Sequence, residues 1–290
     1  MRLRTICAAV TVGTFSAVVV GCAGGDSPEA AGPVDLRFAL AVGAQVTYTA
    51  EYEQAVLVDM GDHAMEASRR HGARYAITGS VSADGGLQGS VRLDSLGIAI
   101  TTAQGRQAFD TRHLIGDEFT ITVGEEGGAP GYGGDLPTVD LGPMLGGEVG
   151  PVQFMGYGFP QLPDHAVSAG DTWQATSTRS QVEGILAVSG DLTTEYTFVG
   201  WEMVGGVECV KIEATIRGDL SGPGGHDETP FDYSGTLQGT ATWFFDPASG
   251  SLVQMTGEES TDGLMTSEDI SAPVQQQTTV RIRSAVVREE

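Results

Sequence analysis

Apolar and polar residues alternate along most of the chain after residue 40. Between Val46 and Met60 the even-numbered positions are apolar except Gln54, whereas the odd-numbered positions include Thr, Glu and Asp. This period of two predicts a half-buried strand on the order of 50 Å long, at about 3.3 Å per residue. Phe231–Phe245 repeats the pattern, and few windows show helical spacing. We therefore expect an all-β or β-dominated fold, with at most one or two short helices and strongly curved, half-barrel-like antiparallel sheets.

The first long strand is followed by Gly61-Asp62, which suits a two-residue hairpin turn. A turn there places residues whose numbers add up to 123 opposite one another, so that Glu53 faces Arg70 as a cross-strand charge pair. The alternative is a helix over residues 62–71, which would produce none of these matches. We favour the hairpin.

The same register brings four polar side chains together on the otherwise apolar face of the hairpin. Tyr52 lies opposite His71, and Gln54 lies opposite Arg69. A buried charge is costly unless it is compensated, so this grouping needs a reason. One interpretation is that the strands twist or bulge and this stretch reaches water at the edge of the sheet. The other is that Arg69, with Tyr52, Gln54 and His71, lies at a cavity mouth and holds the polar head of an amphipathic ligand.

The N-terminus has the organisation of an export signal. A short basic segment, Met1–Arg4, precedes the apolar run Ile6–Val20, which has the length of a signal-peptide core. The run ends in Val19-Val20-Gly21-Cys22, which resembles the lipobox of bacterial lipoprotein precursors. The alternative is an ordinary signal peptide with an incidental cysteine.

The lipobox resemblance implies that the signal is removed before Cys22 and that Cys22 then carries the acyl chains, palmitate among them, that anchor the protein to a membrane. It implies an extracytoplasmic, lipid-anchored location in the cell envelope. Ala23 rather than Asp follows the cysteine, which by the same resemblance favours the outer membrane in a Gram-negative host.

Changes in composition divide the chain into segments, and both β-rich halves are expected to form one domain. The order of strands and Gly-rich turns is similar in the two halves, which indicates a two-fold pseudo-repeat. The Gly/Pro-rich connector is predicted to be a loop or a short helix that plugs the open face of a sheet. The segments are a lipoprotein signal peptide (1–21), a flexible tether (22–36), a first β half (37–123), the connector (124–170) and a second β half (171–290).

Charge and cysteine content limit the classes of partner. The 290 residues include 38 acidic and 15 basic residues, a net charge of −23. Such a surface repels phosphate backbones, so we expect no nucleic-acid partner. After Cys7 and Cys22 are assigned to the signal and the lipid, Cys209 remains alone, so the mature chain has no intramolecular disulfide. Its strand-like surroundings predict a small buried or half-buried side chain.

No catalytic motif stands out. The five histidines show no metal-ligand spacing, and no Gly-x-Ser-x-Gly sequence is present. Acidic pairs such as Glu258-Glu259 are interpreted as solvated surface. We expect no cofactor, no metal site and no enzymatic activity.

Three phrases of the β-rich body resemble a group of secreted, β-rich bacterial lipoproteins, and the resemblance covers about residues 40–285. More loosely, a lipid-anchored curved sheet is similar to lipoprotein-carrier and lipid-carrier folds, whose concave face holds acyl chains. The phrases are Leu162-Pro163-Asp164 with Val167–Trp173, Gly206–Ile212 and Trp243–Gly250.

The leading functional hypothesis is a non-catalytic envelope lipoprotein whose β domain binds an apolar or amphipathic ligand or a partner protein of the envelope. The first alternative is a structural or interaction lipoprotein with a filled core, and the second is an extracytoplasmic hydrolase that uses carboxylates. A contiguous apolar cavity of several hundred Å³ would distinguish the ligand-binding protein from the structural one. A histidine beside two carboxylates in a cleft would indicate the hydrolase.

Overall fold

The computed structural model describes residues 32–61, 64–81, 85–142, 147–150, 155, 158–183, 186–226, 229–268 and 271–286. From Pro33 onward the chain forms one compact unit. The predicted signal peptide and Cys22 lie outside the described residues. Within the predicted tether, the backbones of Val34 and Val167 exchange hydrogen bonds of 2.8 and 2.9 Å, and Leu36 is fully buried. The folded unit therefore begins earlier than predicted, before residue 36.

Nearly all of the described regular structure is β-strand, with a short 3₁₀ helix at Arg112–Leu114. The strands are β1 (Gln45–Asp59), β2 (Ala64–Gly79), β3 (Leu87–Thr102), β4 (Gly105–Ala108), β5 (Glu118–Gly124), β6 (Gly127–Gly133), β7 (Val139–Asp140), β8 (Glu148–Val149), β9 (Thr172–Glu183), β10 (Leu186–Val204), β11 (Val207–His226), β12 (Thr229–Asp246), β13 (Ser251–Thr266) and β14 (Ser271–Val286).

Twelve strands form one antiparallel sheet, which confirms the predicted fold class. The order is β6-β5-β3-β2-β1-β14-β13-β12-β11-β10-β9, and β4 pairs with β3. Strand β1 pairs with the last strand, β14, in the middle of the sheet, so both predicted halves belong to it. The connector runs from the β6 edge to the β9 edge. Strand β6 lies within the segment predicted as connector, which therefore begins as strand. The two-fold pseudo-repeat stays a prediction.

The register of the first hairpin is confirmed. Strands β1 and β2 pair so that partner numbers add up to 123, from Gln45 opposite Thr78 to Asp59 opposite Ala64. Residues 64–71 belong to a strand, so the helical alternative was wrong. Arg70 donates hydrogen bonds of 3.0 and 2.6 Å to one carboxylate oxygen of Glu53, as the predicted charge pair requires.

The apolar faces of the strands enclose a core that other segments complete. Phe38 precedes β1 and Phe159 belongs to the connector, and both rings stand edge-on near the core of the sheet. The ring of Phe38 lies 5.5 Å from Phe159 and 5.2 Å from Phe245 of β12. Leu162 and Val167 of the connector are also buried. The described part of the connector thus contributes buried side chains to the core.

A contact across the inside of the sheet demonstrates its curvature. Arg179 of the edge strand β9 forms two 2.9 Å hydrogen bonds with the carboxylate of Glu259 on β13. Strands β10, β11 and β12 lie between them. In a flat sheet four ladder spacings would separate the two strands by about 19 Å. The sheet must therefore curl to bring these side chains together, and we call the enclosed side its concave face.

Candidate functional site

A cavity of about 400 Å³ lies on the concave face, where two hydrophobic clusters meet. The main core surrounds Trp243 and Met255, and a second cluster surrounds Leu192 and Leu237. This volume falls in the range of pockets that bind small molecules. Its lining is largely apolar and aromatic and includes Tyr52, Phe159, Ala175, Leu192, Tyr196, Ile216, Ala241, Trp243, Met255 and Val280.

Tyr196 and Trp243 form an aromatic wall on one side of the cavity, and Trp173, which is not part of the lining, stacks on Tyr196. The rings of Trp173 and Tyr196 stack at 5.3 Å with an angle of 9° between planes, and Trp243 follows at 5.9 Å. Gln161 of the connector holds the first two rings in place. Its backbone N–H donates to the Tyr196 hydroxyl at 3.2 Å, and its carbonyl accepts from the Trp173 indole at 2.8 Å. The wall is therefore fixed before any ligand binds.

One polar atom of this wall has its hydrogen-bonding capacity unused. The indole Nε1 of Trp243 is buried, and no acceptor among the described residues lies within hydrogen-bonding distance. A buried donor without an acceptor costs about 1–3 kcal/mol. The nitrogen has no surface accessible from the cavity, so its unused N–H is a cost of packing the core and is not a contact for a ligand.

The polar end of the cavity is formed by the Arg179–Glu259 ion pair. The Glu259 side chain is 8% exposed and the Arg179 side chain 21% exposed. Two parallel hydrogen bonds between a guanidinium and a carboxylate combine charge attraction with a fixed orientation. The interpretation of Glu259 as solvated surface was therefore wrong for this residue.

The four polar residues of the first hairpin do lie together, in the interior. Tyr52, Gln54, Arg69 and His71 are all at most 6% exposed. Strands β1 and β2 are central, so the interpretation that this stretch reaches water at a sheet edge was wrong. Only Tyr52 of the four lines the cavity.

Tyr52 connects the cavity to the other members of this group. The Arg69 guanidinium carbon lies 5.6 Å from the centre of the Tyr52 ring, and its Nη2 lies 3.5 Å from the Tyr52 hydroxyl. The His71 ring packs against Tyr52 at 5.2 Å. A cation over an aromatic face is attracted by the ring electrons, which partly compensates the burial of Arg69.

Burial, together with the smaller effect of the positive charge of Arg69, lowers the pKa of His71 to about 3. The imidazole is therefore neutral at physiological pH and has one N–H donor. Neither ring nitrogen has a hydrogen-bond partner among the described residues. His71 is thus an uncharged packing partner of Tyr52.

The strand register extends this group into a polar row across four strands. Arg69 lies opposite Gln54, Gln54 opposite Thr278, and Thr278 opposite Glu259.

Sequence reasoning missed Glu259 and Arg179. The alternation in β13 was the available signal, because Met255, Gly257 and Glu259 share one face.

The remaining candidates have simpler roles. Cys209 is fully buried, as predicted, and burial raises the pKa of its thiol to about 11. His165 lies 2.8 Å from Asp164, and both side chains are exposed. In the described part of the chain, no three His, Cys, Asp or Glu residues are grouped to hold a metal ion.

Comparisons with known proteins identify no family. No protein-family model and no curated protein matches the chain. Among solved structures, it is similar to OccK2 (OpdF) of Pseudomonas aeruginosa, also in complex with glucuronate, and to OprB of Pseudomonas putida at high pH. Identity is 7% in each, and 84% of this chain aligns with 99%, 99% and 94% of those chains.

The TM-scores of these three alignments are 0.26, 0.24 and 0.23. Similarity at this level says nothing about ligand or activity, so the functional conclusion depends on the site itself. Within the described ranges, no helix has the length and apolar character needed to cross a membrane.

Proposed function

We propose that this protein is a non-catalytic, lipid-anchored protein of the cell envelope that binds an apolar or amphipathic ligand in its concave cavity. The observation that carries the proposal is the cavity of about 400 Å³ among buried aromatic and aliphatic side chains. A pocket of this size with a mainly apolar lining and a few polar groups at one end is typical of small-molecule sites, which favours the ligand-binding protein over the structural one.

The lining indicates what kind of molecule fits. The aromatic wall and the side chains of Met255 and Val280 suit an apolar body. The Tyr52 hydroxyl, with Arg69 beside it, suits a polar head group. An amphipathic molecule meets both conditions.

The test is mass spectrometry of small molecules and lipids that co-purify with the full chain. Ala175 lines the cavity from the edge strand, and Ala175→Phe fills part of the space. Gln174→Phe introduces the same ring at the neighbouring exposed position and serves as the control. We expect one compound class to be retained by the wild type and the control and lost from Ala175→Phe. Retention of nothing, or equal retention by all three proteins, would contradict the proposal.

The role of Arg69 is tested separately with Arg69→Leu. If the guanidinium and the Tyr52 hydroxyl hold the polar head, this variant retains several-fold less of the co-purifying compound. Unchanged retention, with unchanged or improved stability, would leave the polar group without a binding role.

The lipid anchor is tested at Cys22. Cys22→Ala is expected to leave an uncleaved or soluble precursor and to abolish partitioning into a detergent phase. Each buried CH₂ group contributes about 0.8 kcal/mol, so two or three acyl chains hold a protein on a membrane almost irreversibly. Membrane retention of the variant after a high-salt wash would argue against the anchor.

A further inference from the structure

A second cavity lies on the opposite, convex face of the sheet, and Tyr52 lines both cavities. It is a groove of about 580 Å³ over strands β1, β2 and β3, bordered by β4 and β14. Gly72 of β2 and Gly97 of β3 pair directly with each other at its floor. Arginine side chains from three different strands border it: Arg70, Arg106 and Arg281.

The fold does not require glycine at the floor of this groove. Neither Gly72 nor Gly97 has a positive φ. A Cβ added at Gly72 would meet no atom within 4 Å, and one added at Gly97 would meet only the Gly72 carbonyl oxygen, at 4.0 Å. Glycine weakens a strand interior, and it often marks a place where a ligand comes close to the backbone. The paired glycines therefore provide space above the sheet.

The charges around this space have an excess of one positive charge. Arg70 is neutralised by Glu53 at 2.6 Å. None of the ion pairs among the described residues involves Arg106 or Arg281. These two arginines face a single further carboxylate in the groove, that of Glu51. On a chain with a net charge of −23 this is a local inversion of sign.

We propose that the groove binds a phosphodiester group. A phosphodiester carries one negative charge, which matches the local excess, and its tetrahedral oxygens can accept hydrogen bonds from guanidinium groups on two sides. Glu51 then accepts a hydrogen bond from a hydroxyl or ammonium group beside the phosphate. A phospholipid head group and a free glycerophosphodiester share this chemistry. The site is separate from the concave cavity and does not depend on the function proposed for it.

The test is isothermal titration of the full chain, in micelles of a non-ionic detergent, with glycerophosphoethanolamine. We expect saturable binding by the wild type and at least tenfold weaker binding by Arg281→Ala. Gly97→Val should weaken binding to the same degree by filling the groove. Thermal unfolding of this variant is the control that checks whether its fold is intact. Arg217→Ala removes an equivalent charge from an exposed position on β11 and should bind like the wild type.

Three results would overturn the proposal. The first is that the wild type binds neither glycerophosphoethanolamine nor vesicles containing phosphatidylethanolamine in a saturable way. The second is equal loss of affinity in Arg217→Ala and Arg281→Ala, which would indicate attraction by charge alone. The third is equal affinity for glycerate, a carboxylate, which would refute the choice of a phosphodiester. If the mass-spectrometry experiment on the concave cavity fails, the titration results for the groove are unaffected.

A vesicle experiment distinguishes the two sources of the phosphodiester. Vesicles of phosphatidylethanolamine and phosphatidylcholine are mixed with the Cys22→Ala variant from which residues 1–21 have been removed, so that neither acyl chains nor the apolar N-terminal run holds the chain on them. If adding Gly97→Val to this variant weakens vesicle binding tenfold, a lipid head group is the source of the phosphodiester. Binding of the soluble compound without vesicle binding identifies a free glycerophosphodiester.

Discussion

Two groups of glycines in the strand interiors of this sheet have different surroundings. In the β10–β11 pair they lie on the concave face, and an added Cβ would overlap a carbonyl oxygen of the neighbouring strand. In the β2–β3 pair Gly72 and Gly97 lie on the convex face, where an added Cβ would meet almost nothing, whereas a Cβ at Gly89 on the concave face would overlap the Thr78 carbonyl oxygen. The first set is Gly190 against Asp219, Gly218 against Asp191 and Gly222 against Ala187, and the second is Gly72 and Gly97.

The difference separates glycines that build the fold from glycines that leave room for a ligand. None of the five has a positive φ, so backbone conformation explains neither set. Where the sheet curls, neighbouring strands come so close on the concave side that only hydrogen atoms fit between them. On the convex side the same substitution is sterically free. Predicted effects on stability therefore differ strongly between residues of the same type in similar strands.

The largest effect is expected for Gly190→Val. The new side chain would overlap the Asp219 carbonyl and crowd Leu220, so β10 and β11 could not pair as they do. We expect a loss of about 3 kcal/mol or more in the free energy of unfolding, measured by urea denaturation. A loss below 1 kcal/mol would mean that the tight curl is not required for the stability of the fold.

The next effect concerns the ion pair that links the edge strand to the curled part of the sheet. Glu259→Leu leaves the Arg179 charge partly buried. We expect a loss of about 2–3 kcal/mol, below the value of 3–5 kcal/mol for a fully buried pair because the Arg179 side chain keeps 21% exposure. The double variant Arg179→Met/Glu259→Leu should regain part of this loss, since it removes the uncompensated charge. A double variant that is less stable than Glu259→Leu alone would contradict this explanation.

A smaller effect, which depends on pH, comes from His71 of β2. This residue directly precedes Gly72, and its side chain points to the concave face. The pKa of His71 is about 3 in the folded protein and about 6.5 when unfolded. As the pH falls below 6.5, the unfolded chain binds a proton that the folded chain excludes, so stability decreases until about pH 3.

Between pH 6.5 and pH 5 this single group accounts for a loss of about 1.5 kcal/mol. His71→Phe should remove that part of the pH dependence, because the phenyl ring keeps the packing against Tyr52 and does not titrate. Urea denaturation of both proteins across this range provides the measurement. If the free energy of unfolding changes with pH in the same way in the wild type and in His71→Phe, the folded protein does not exclude a proton from His71.

The smallest effect is expected at the convex groove. Gly97→Val should change the free energy of unfolding by less than about 1 kcal/mol, and in the stabilising direction, because valine favours strands and the space is open. Thermal unfolding beside Gly190→Val compares the two regions directly. A large destabilisation of Gly97→Val would mean that the groove floor is packed and would remove the contrast.

Local pattern and turn chemistry were enough to predict the first hairpin. The alternation placed Tyr52, Gln54, Arg69 and His71 on one face, and the turn at Gly61 set the register. Sheet-wide neighbours could not be predicted in this way. Arg179 and Glu259 are 80 residues apart, and their strands meet only because the sheet curls. The Gly-rich segment of β6 also looked like connector, since its pairing with β5 is not encoded in its own composition.

The sequence by itself determined the antiparallel β architecture, the long strands and the register of the hairpin, because a side-chain period of two and a short turn are local properties. Only the tertiary structure decided which faces enclose a cavity, which carboxylate is buried and which glycines meet open space. Those features depend on the curvature of twelve strands together. Curvature arises from distances between strands that lie far apart in the chain, and no local pattern records them.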